Sequence, residues 1–276
     1  MDVEKVYDER AQGEWDRLEK HRTEFAVTMR ALKDYLPEPP AKILDIGGGP
    51  GRYAITLSRK GFSVTLADLS KKCLELAKEK ADEEGIRLVD YLHANATDLR
   101  QIQGEDYNAV LLFGPLYHLL LEEDREKAIQ EAKRVLKLDG IIFASFISRY
   151  SQVRWAAKNK PEWIIEDPRP DELITKGAII PRDEKDFGAY CAHPSETKPF
   201  MEKAGFETLD LISCEGVISM IEEKINELTG DLWERWVEMN YRLGKDPTGW
   251  GAADHLLYVG RKRGIYEVQS KSQKNR

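Results

Sequence analysis

The chain reads as an α/β fold, a largely parallel sheet with helices on both faces, and three observations point there. Short apolar runs alternate with amphipathic stretches across short loops, the pattern of strands that cross over through helices. Residues 42–51, Lys-Ile-Leu-Asp-Ile-Gly-Gly-Gly-Pro-Gly, form an apolar run that ends in a glycine turn. A second apolar run, Ser63-Val-Thr-Leu-Ala67, closes on an acid, Asp68.

The run Ile43-Leu44 is short and apolar, as a central strand buried on both faces must be, so the first strand is expected near 42–47. Arg52 to Lys60 continues as a short amphipathic helix whose N-terminus faces the glycine turn. Further strands are expected near 63–68, 89–94, 108–113 and 140–147, with helices near 71–84 and 122–136. His193-Pro-Ser195-Glu196 carries N-terminal helix signals, so a helix is expected near 195–204 and His193 reads as its cap. A strand near 206–214 and a last one at Leu256-Leu-Tyr-Val259 complete the series.

Gly47, Gly49 and Gly51 remove side chains where the backbone must turn tightly and approach a ligand. A dinucleotide site wants Gly-x-Gly-x-x-Gly with an acid about 20 residues on. Here the third glycine stands at 51 and position 52 is Arg. Asp45, two places before the first glycine, would repel a pyrophosphate but suits a ligand with an amino group and a positive charge. Asp68 at its strand end can accept hydrogen bonds from both hydroxyls of a ribose. In such sheets ligands sit beyond the carboxyl ends of the strands where strand order reverses, here between the first and fourth strands.

Whole-chain properties agree. With 276 residues, 41% of them hydrophobic, the chain can bury a substantial core. A net charge of −7 and a pI near 5.5 argue against a broad phosphate-binding surface and hence against a nucleic-acid partner. Cys73, Cys191 and Cys214 have no paired spacing and read as reduced thiols of a soluble, cytoplasmic protein. The polar start Met-Asp-Val-Glu-Lys does not read as a signal peptide. The longest apolar stretch, Ala109 to Leu121, is interrupted by Gly114, Pro115 and His118 and falls short of a membrane span. No Asp, Glu or His spacing argues for a metal, and Asp254-His255 before the last strand reads as structural.

At this point the chain resembles the class I S-adenosylmethionine-dependent methyltransferases, within their small-molecule, UbiE-like type (the type 11 and type 25 groups). Asp45-Ile-Gly47-Gly-Gly49-Pro-Gly51 is similar to the family's first motif, and Val64-Thr-Leu-Ala-Asp68-Leu69-Ser70 to its second. His93-Ala-Asn95-Ala96-Thr-Asp98-Leu99 stands where the family has an acid–Ala pair beside the adenine, with Asn95 replacing the acid. Tyr107 to His118 matches the fourth strand and its exit loop, with Phe113 at the strand end. Arg134-Val-Leu-Lys-Leu-Asp-Gly140 is similar to the turn before the fifth strand, with Leu138-Asp139 in place of Pro-Gly. The likeness is strong over 40–147 and loose elsewhere.

The resemblance implies a Rossmann-like sheet in the order 3-2-1-4-5-7-6, its last strand antiparallel, and S-adenosyl-L-methionine as cofactor. It implies cofactor contacts from Asp45, Gly47, Gly49, Gly51, Asp68, Leu69, Asn95, Ala96 and Phe113, with Asn95 accepting from the adenine amino group through its amide oxygen. It also implies that an N-terminal helix closes over the site and that Tyr7 touches the methionine end. The expected divisions are a helical lid over 1–36, the cofactor-binding core over 37–147 and a cap insertion over 148–190. The rest of the core with helical cap elements spans 191–262, and a mobile basic tail 263–276. The insertion, with Tyr150, Trp155, Trp163 and Tyr190, reads as an ordered cap, and Trp233, Trp236, Met239 and Tyr241 as core or cap packing.

His118, just past the fourth strand, is the candidate base because imidazole titrates near neutrality, with Tyr117 beside it to orient a substrate. The competing reading, that His118 supports the cofactor loop, is preferred, since many methyl acceptors need no strong base. The Asn-Pro-Pro-Tyr signature of nucleic-acid amino methyltransferases is absent, as is the catalytic-cysteine motif of base-carbon methyltransferases. The basic run Arg261-Lys-Arg263 with Lys271, Lys274 and Arg276 reads as a solvated tail. The expected acceptor is a small molecule under an aromatic cap. The alternatives are an RNA- or protein-directed enzyme and a non-catalytic cofactor-binding partner subunit, with a dinucleotide oxidoreductase a weaker third.

Overall fold

A computed structural model describes residues 3–182 and 188–264. In chain order the helices are α1 (Val3–Lys20), α2 (Arg22–Tyr35), α3 (Arg52–Arg59), α4 (Lys71–Glu83), α5 (Pro115–His118) and α6 (Glu122–Val135). These are followed by α7 (Arg149–Asn159), α8 (Trp163–Glu166), α9 (Arg169–Lys176), α10 (Pro194–Lys203), α11 (Glu222–Asn226) and α12 (Gly230–Gly244). The strands are β1 (Lys42–Ile46), β2 (Ser63–Asp68), β3 (Asp90–His93), β4 (Tyr107–Leu112), β5 (Leu136–Ser148), β6 (Ala178–Ile179), β7 (Ala189–Ala192), β8 (Phe206–Ser213) and β9 (His255–Lys262).

The strands β3, β2, β1, β4 and β5 pair in parallel in that order. β9 lies antiparallel between β5 and β8. Counting these seven strands in chain order gives 3-2-1-4-5-7-6 with the last antiparallel, as expected. Successive residues serve opposite faces, both of them covered at the central strands β1, β2 and β4, which are largely apolar and buried, whereas the outer strands β3 and β8 carry polar residues. Ile43, Leu111 and Phe143 pack with Leu32, Trp233, Val237 and Tyr241 on one side. Leu44, Val110 and Ile142 pack with Ala128, Ile129 and Met201 on the other.

Several differences from the sequence reading have physical causes. β5 begins at Leu136, not 140, because the chain re-pairs with Tyr107 through a register shift directly after α6. Asp139 takes the left-handed φ of 61° that glycine holds more easily, so the Leu138-Asp139 replacement is absorbed in a turn. The aromatic stripe on α12 splits. Trp233 and Tyr241 face the core while Trp236 and Met239 are exposed, since positions four apart share a face and 236 and 239 sit off it. The stretch 149–179 forms α7, α8, α9 and β6 around Ala156, Trp163 and Leu173, and β7 pairs with the last two residues of β5. His193 caps α10: its Nδ1 accepts from the Ser195 N–H at 3.3 Å, and Glu196 accepts from the His193 N–H at 3.1 Å.

Among the described residues no helix is long and apolar enough to cross a membrane. Residues 265–276, most of the expected basic tail, lie outside the described residues.

Candidate functional site

A cavity of about 380 Å³ opens beyond the carboxyl ends of β1, β2 and β4, at the reversal point of the sheet. Its floor is the glycine turn and its roof is α1. Of the residues singled out from sequence, Tyr7, Asp45, Gly47, Gly49, Asp68, Leu69, Asn95, Ala96, Phe113, Tyr117 and His118 all line it. Gly51 does not. It sits at the start of α3 with φ 82°, and a Cβ there would meet the Ala77 Cβ at 3.2 Å, so it serves close packing of the turn on α4.

The turn is held by contacts within the chain. The Gly49 N–H donates to Asp68 Oδ2 at 2.7 Å and the Ser70 N–H to Oδ1 at 2.8 Å, so the acid at the end of β2 holds the loop after β1. Gly49 has φ 55°, and open space lies where a side chain would project. Burial raises the Asp68 carboxyl, against the pull of those two amides. Asp45 is fully buried, and neither of its oxygens has a well-formed hydrogen bond. Burial first, then the charge of Asp68, push its carboxyl up to about 7, opposed by the Ala54 amide. A buried carboxylate without a partner is costly, and it marks the place where a cationic or donor group belongs.

Three polar contacts bear on the roles expected of these residues. First, Tyr7 on α1 bonds to His118 Nε2 at 2.6 Å, which ties the lid to α5. Burial pulls the His118 imidazole down to about 4, so it is neutral and only weakly basic at pH 7. The lowered imidazole runs against the near-neutral titration on which the base reading stood, and the Tyr7 contact accords with the supporting reading. Second, the Tyr117 hydroxyl donates to the Phe113 carbonyl at 2.9 Å, so Tyr117 presents its ring and not a free hydroxyl. Third, Asn95 Oδ1 accepts from the Thr97 N–H at 3.0 Å and the Thr97 hydroxyl at 2.9 Å. That turn engages the oxygen expected to meet an adenine amino group.

Sequence reading missed the polar residues that α1 brings to the roof. Glu14, Arg17 and Leu18 line the cavity with Val3 and Tyr7, a stripe at helical spacing on one face. Polar residues within that stripe were the available signal. The roof is docked by Asp8, which accepts from the Ser70 hydroxyl at 2.6 Å, and by Arg52, which donates to the Trp15 carbonyl at 2.9 Å and stacks over its ring. Arg17 pairs with Glu24 at 2.6 Å. Glu24, Glu215 and His255 bring their ligating atoms within 4.8 Å of one another, a grouping that no sequence spacing shows. Arg17 and His255 already supply its cations.

Comparison with known proteins fits this geometry. A family model described as a methyltransferase domain matches residues 43–140, from β1 into β5. A ubiquinone biosynthesis O-methyltransferase of Pseudomonas aeruginosa (strain LESB58) is 28% identical over 171 residues, 62% of this chain and 66% of that protein. The corresponding protein of Actinobacillus pleuropneumoniae is 33% identical over 112 residues, 39% of this chain and 46% of that one. The chain thus spans between about half and two thirds of the length of these curated relatives. A structure of an S-adenosylmethionine-dependent methyltransferase from Methanosarcina mazei superposes with a TM-score of 0.58 at 19% identity. That match covers 84% of this chain and 97% of the other, and at that identity it shows the fold. Residues 43–140 match a methyltransferase domain, and the motifs, the sheet order and the structural likeness are those of the class I S-adenosylmethionine-dependent methyltransferase fold.

Proposed function

We propose that this protein transfers a methyl group from S-adenosyl-L-methionine to a small-molecule acceptor. The observation that carries the reading is the buried, unpartnered Asp45 beside Asp68 in a roofed cavity, a floor suited to a cationic nucleoside. The residues present fit that ligand. Asp68 keeps lone pairs for ribose hydroxyls after its two backbone contacts. Asp45 offers charge to an ammonium, Arg17 in the roof offers a cation to a carboxylate, and Leu69 and Ala96 offer apolar surface to an adenine. Gly49 lets the backbone approach. The volume falls within the range of about 300–1,000 Å³ usual for small-molecule sites.

When bound, S-adenosyl-L-methionine supplies an electrophilic methyl group on a positive sulfur that leaves as a neutral thioether. The chain's own contribution is alignment and exclusion of water. The α1 roof covers one side of the cavity, and the Tyr7–His118 bond holds that roof to the exit loop of β4. Holding two reactants in line can supply about 7–11 kcal/mol of the barrier. In this reading residues 1–36 act as lid over the 37–147 core and 148–190 as acceptor cap. A small acceptor is supported by the names of the O-methyltransferase relatives. The three buried, unpaired cysteines fit a reducing cytoplasm.

The test uses methyl-labelled S-adenosylmethionine, purified protein and a cell extract split by size. Label in the metabolite fraction supports the reading and delivers the product for identification. Label in RNA or protein overturns the acceptor assignment. No transfer to either fraction counts against methyl transfer.

A further inference from the structure

Arg17 belongs at once to the cavity roof and to a buried cluster that runs away from the cavity. Its Nη1 donates to Glu24 Oε2 at 2.6 Å and its Nη2 to Oε1 at 3.3 Å, a two-pronged grip. Glu24 Oε2 lies 3.7 Å from His255 Nδ1, and that nitrogen is 2.6 Å from Glu215 Oε1. Glu215 is itself pinned by the backbone N–H groups of Asp254 and His255, at 3.1 and 2.8 Å. The contacts therefore lead from α1 through α2 to the start of β9 and the turn after β8. Other ionisable groups border the cluster: Glu14 beside Arg17 on α1, His21 paired with Glu222, and the Tyr117 ring on α5.

Glu24 and Glu215 are almost wholly buried, so the cluster is not a surface ion pair. Burial opposes ionisation of Glu24, yet Arg17 and His255 hold its carboxyl down at about 2. Burial likewise opposes charge on His255, yet Glu24 and Glu215 push its imidazole up to about 9. The position of the arrangement is as telling as its charge. α1 and α2 are separate helices that part at His21, so Arg17 and Glu24 face each other across the break. A guanidinium has five N–H donors; Glu24 engages one on each terminal nitrogen and Glu14 lies 3.5 Å from Nε, so one N–H on each terminal nitrogen remains on a residue that lines the cavity. A long side chain held in place beforehand gives up less rotamer freedom when a ligand arrives.

We propose that Glu24, His255 and Glu215 are positioning residues that fix the Arg17 guanidinium in the roof, and so set recognition of the carboxylate-bearing end of the ligand while leaving its nucleoside end untouched. This rests on the cofactor reading above. A purely structural role would weaken both ends of the ligand alike, and that difference makes the test.

The experiment is titration calorimetry with two probes. S-Adenosylhomocysteine carries the amino-acid end; 5′-methylthioadenosine shares the nucleoside and thioether but lacks it. Glu24→Gln, His255→Gln and Arg17→Met should each weaken S-adenosylhomocysteine by about tenfold or more, while 5′-methylthioadenosine changes by less than about twofold. Glu24→Gln placed on Arg17→Met should add no further loss, because the first acts through the second. Equal losses for the two probes, or none for either, overturn the proposal. Should Glu24→Gln not fold, His255→Gln leaves the Arg17–Glu24 pair in place and carries the same comparison. A wild-type protein that binds neither probe overturns the cofactor reading itself, a result distinct from equal losses among variants.

Discussion

Asp45 should make ligand binding release a proton. Its carboxyl sits near 7 in the free protein because burial and the adjacent Asp68 disfavour its charge. An ammonium placed against it stabilises the charged form, so the bound-state value must fall. Affinity is then fully present above pH 7 and is lost as pH falls through 7, by about tenfold or about 1.4 kcal/mol per unit. Calorimetry with S-adenosylhomocysteine between pH 5.5 and 8, in buffers of different ionisation enthalpy, reads both quantities. Near pH 6 about one proton should leave per ligand bound. Asp45→Asn should bind with little pH dependence over this window, release no proton, and at pH 8 lose about 1.5–3 kcal/mol with the charge-assisted contact. The same burial predicts a stability effect of opposite sense. A folded value raised from 3.8 to about 7 costs the free protein stability that sets in above the unfolded value and reaches about 4 kcal/mol at neutrality. Asp45→Asn should therefore raise Tm at pH 7.5 and leave it nearly unchanged at pH 4. Wild-type affinity that stays flat from pH 5.5 to 8 with no proton release would refute the argument, because the orphaned carboxyl would then not meet the ligand.

Other sites give sharper yes-or-no outcomes. Gly49→Val forces a β-branched residue to φ 55° and fills the open side of the turn, so binding should vanish while Tm falls by only a few degrees. Asp68→Ala removes the acceptor for two backbone amides as well as the ribose contact, and should lose both ligand affinity and thermal stability. Tyr7→Phe breaks the tie to His118, worth about 0.5–1.5 kcal/mol, and should speed ligand dissociation several-fold in stopped flow with the turnover pH profile unchanged. A new pH dependence in that variant would return His118 to the chemistry. Trp163→Ala, at the centre of the 149–179 cluster, should cost about 3–5 kcal/mol locally and expose that segment to limited proteolysis before the sheet unfolds.

What the sequence made legible follows the range of the forces involved. The central strands were readable because two-sided burial demands apolar runs, and the floor of the site because glycine turns and strand-end acids are local signals, whereas the short β6 and β7 carry too few residues to show a pattern. Arg17 was hidden because amphipathic spacing says which face of a helix is covered, not by what. Glu24, Glu215 and His255 meet from three distant parts of the chain, and a pairing without periodicity leaves no mark on any one of them. Tyr117 and Asn95 were placed on the cavity wall, yet the Tyr117 hydroxyl and the Asn95 amide oxygen are engaged by Phe113 and Thr97, a choice made by local hydrogen bonding that composition does not reveal. Gly51 shows the converse: a motif position that belongs to packing and not to the cavity wall.

The division of the cavity between sheet and α1 also bears on time. Its floor hangs from the central strands, whose amides should exchange only with global unfolding, while its roof is a single helix that parts from the next at His21 and should open more readily. How long a ligand stays is governed by the faster half, so bound lifetimes should track exchange at the amides of Val3–Lys20 and be indifferent to the much slower amides of β1 and β4.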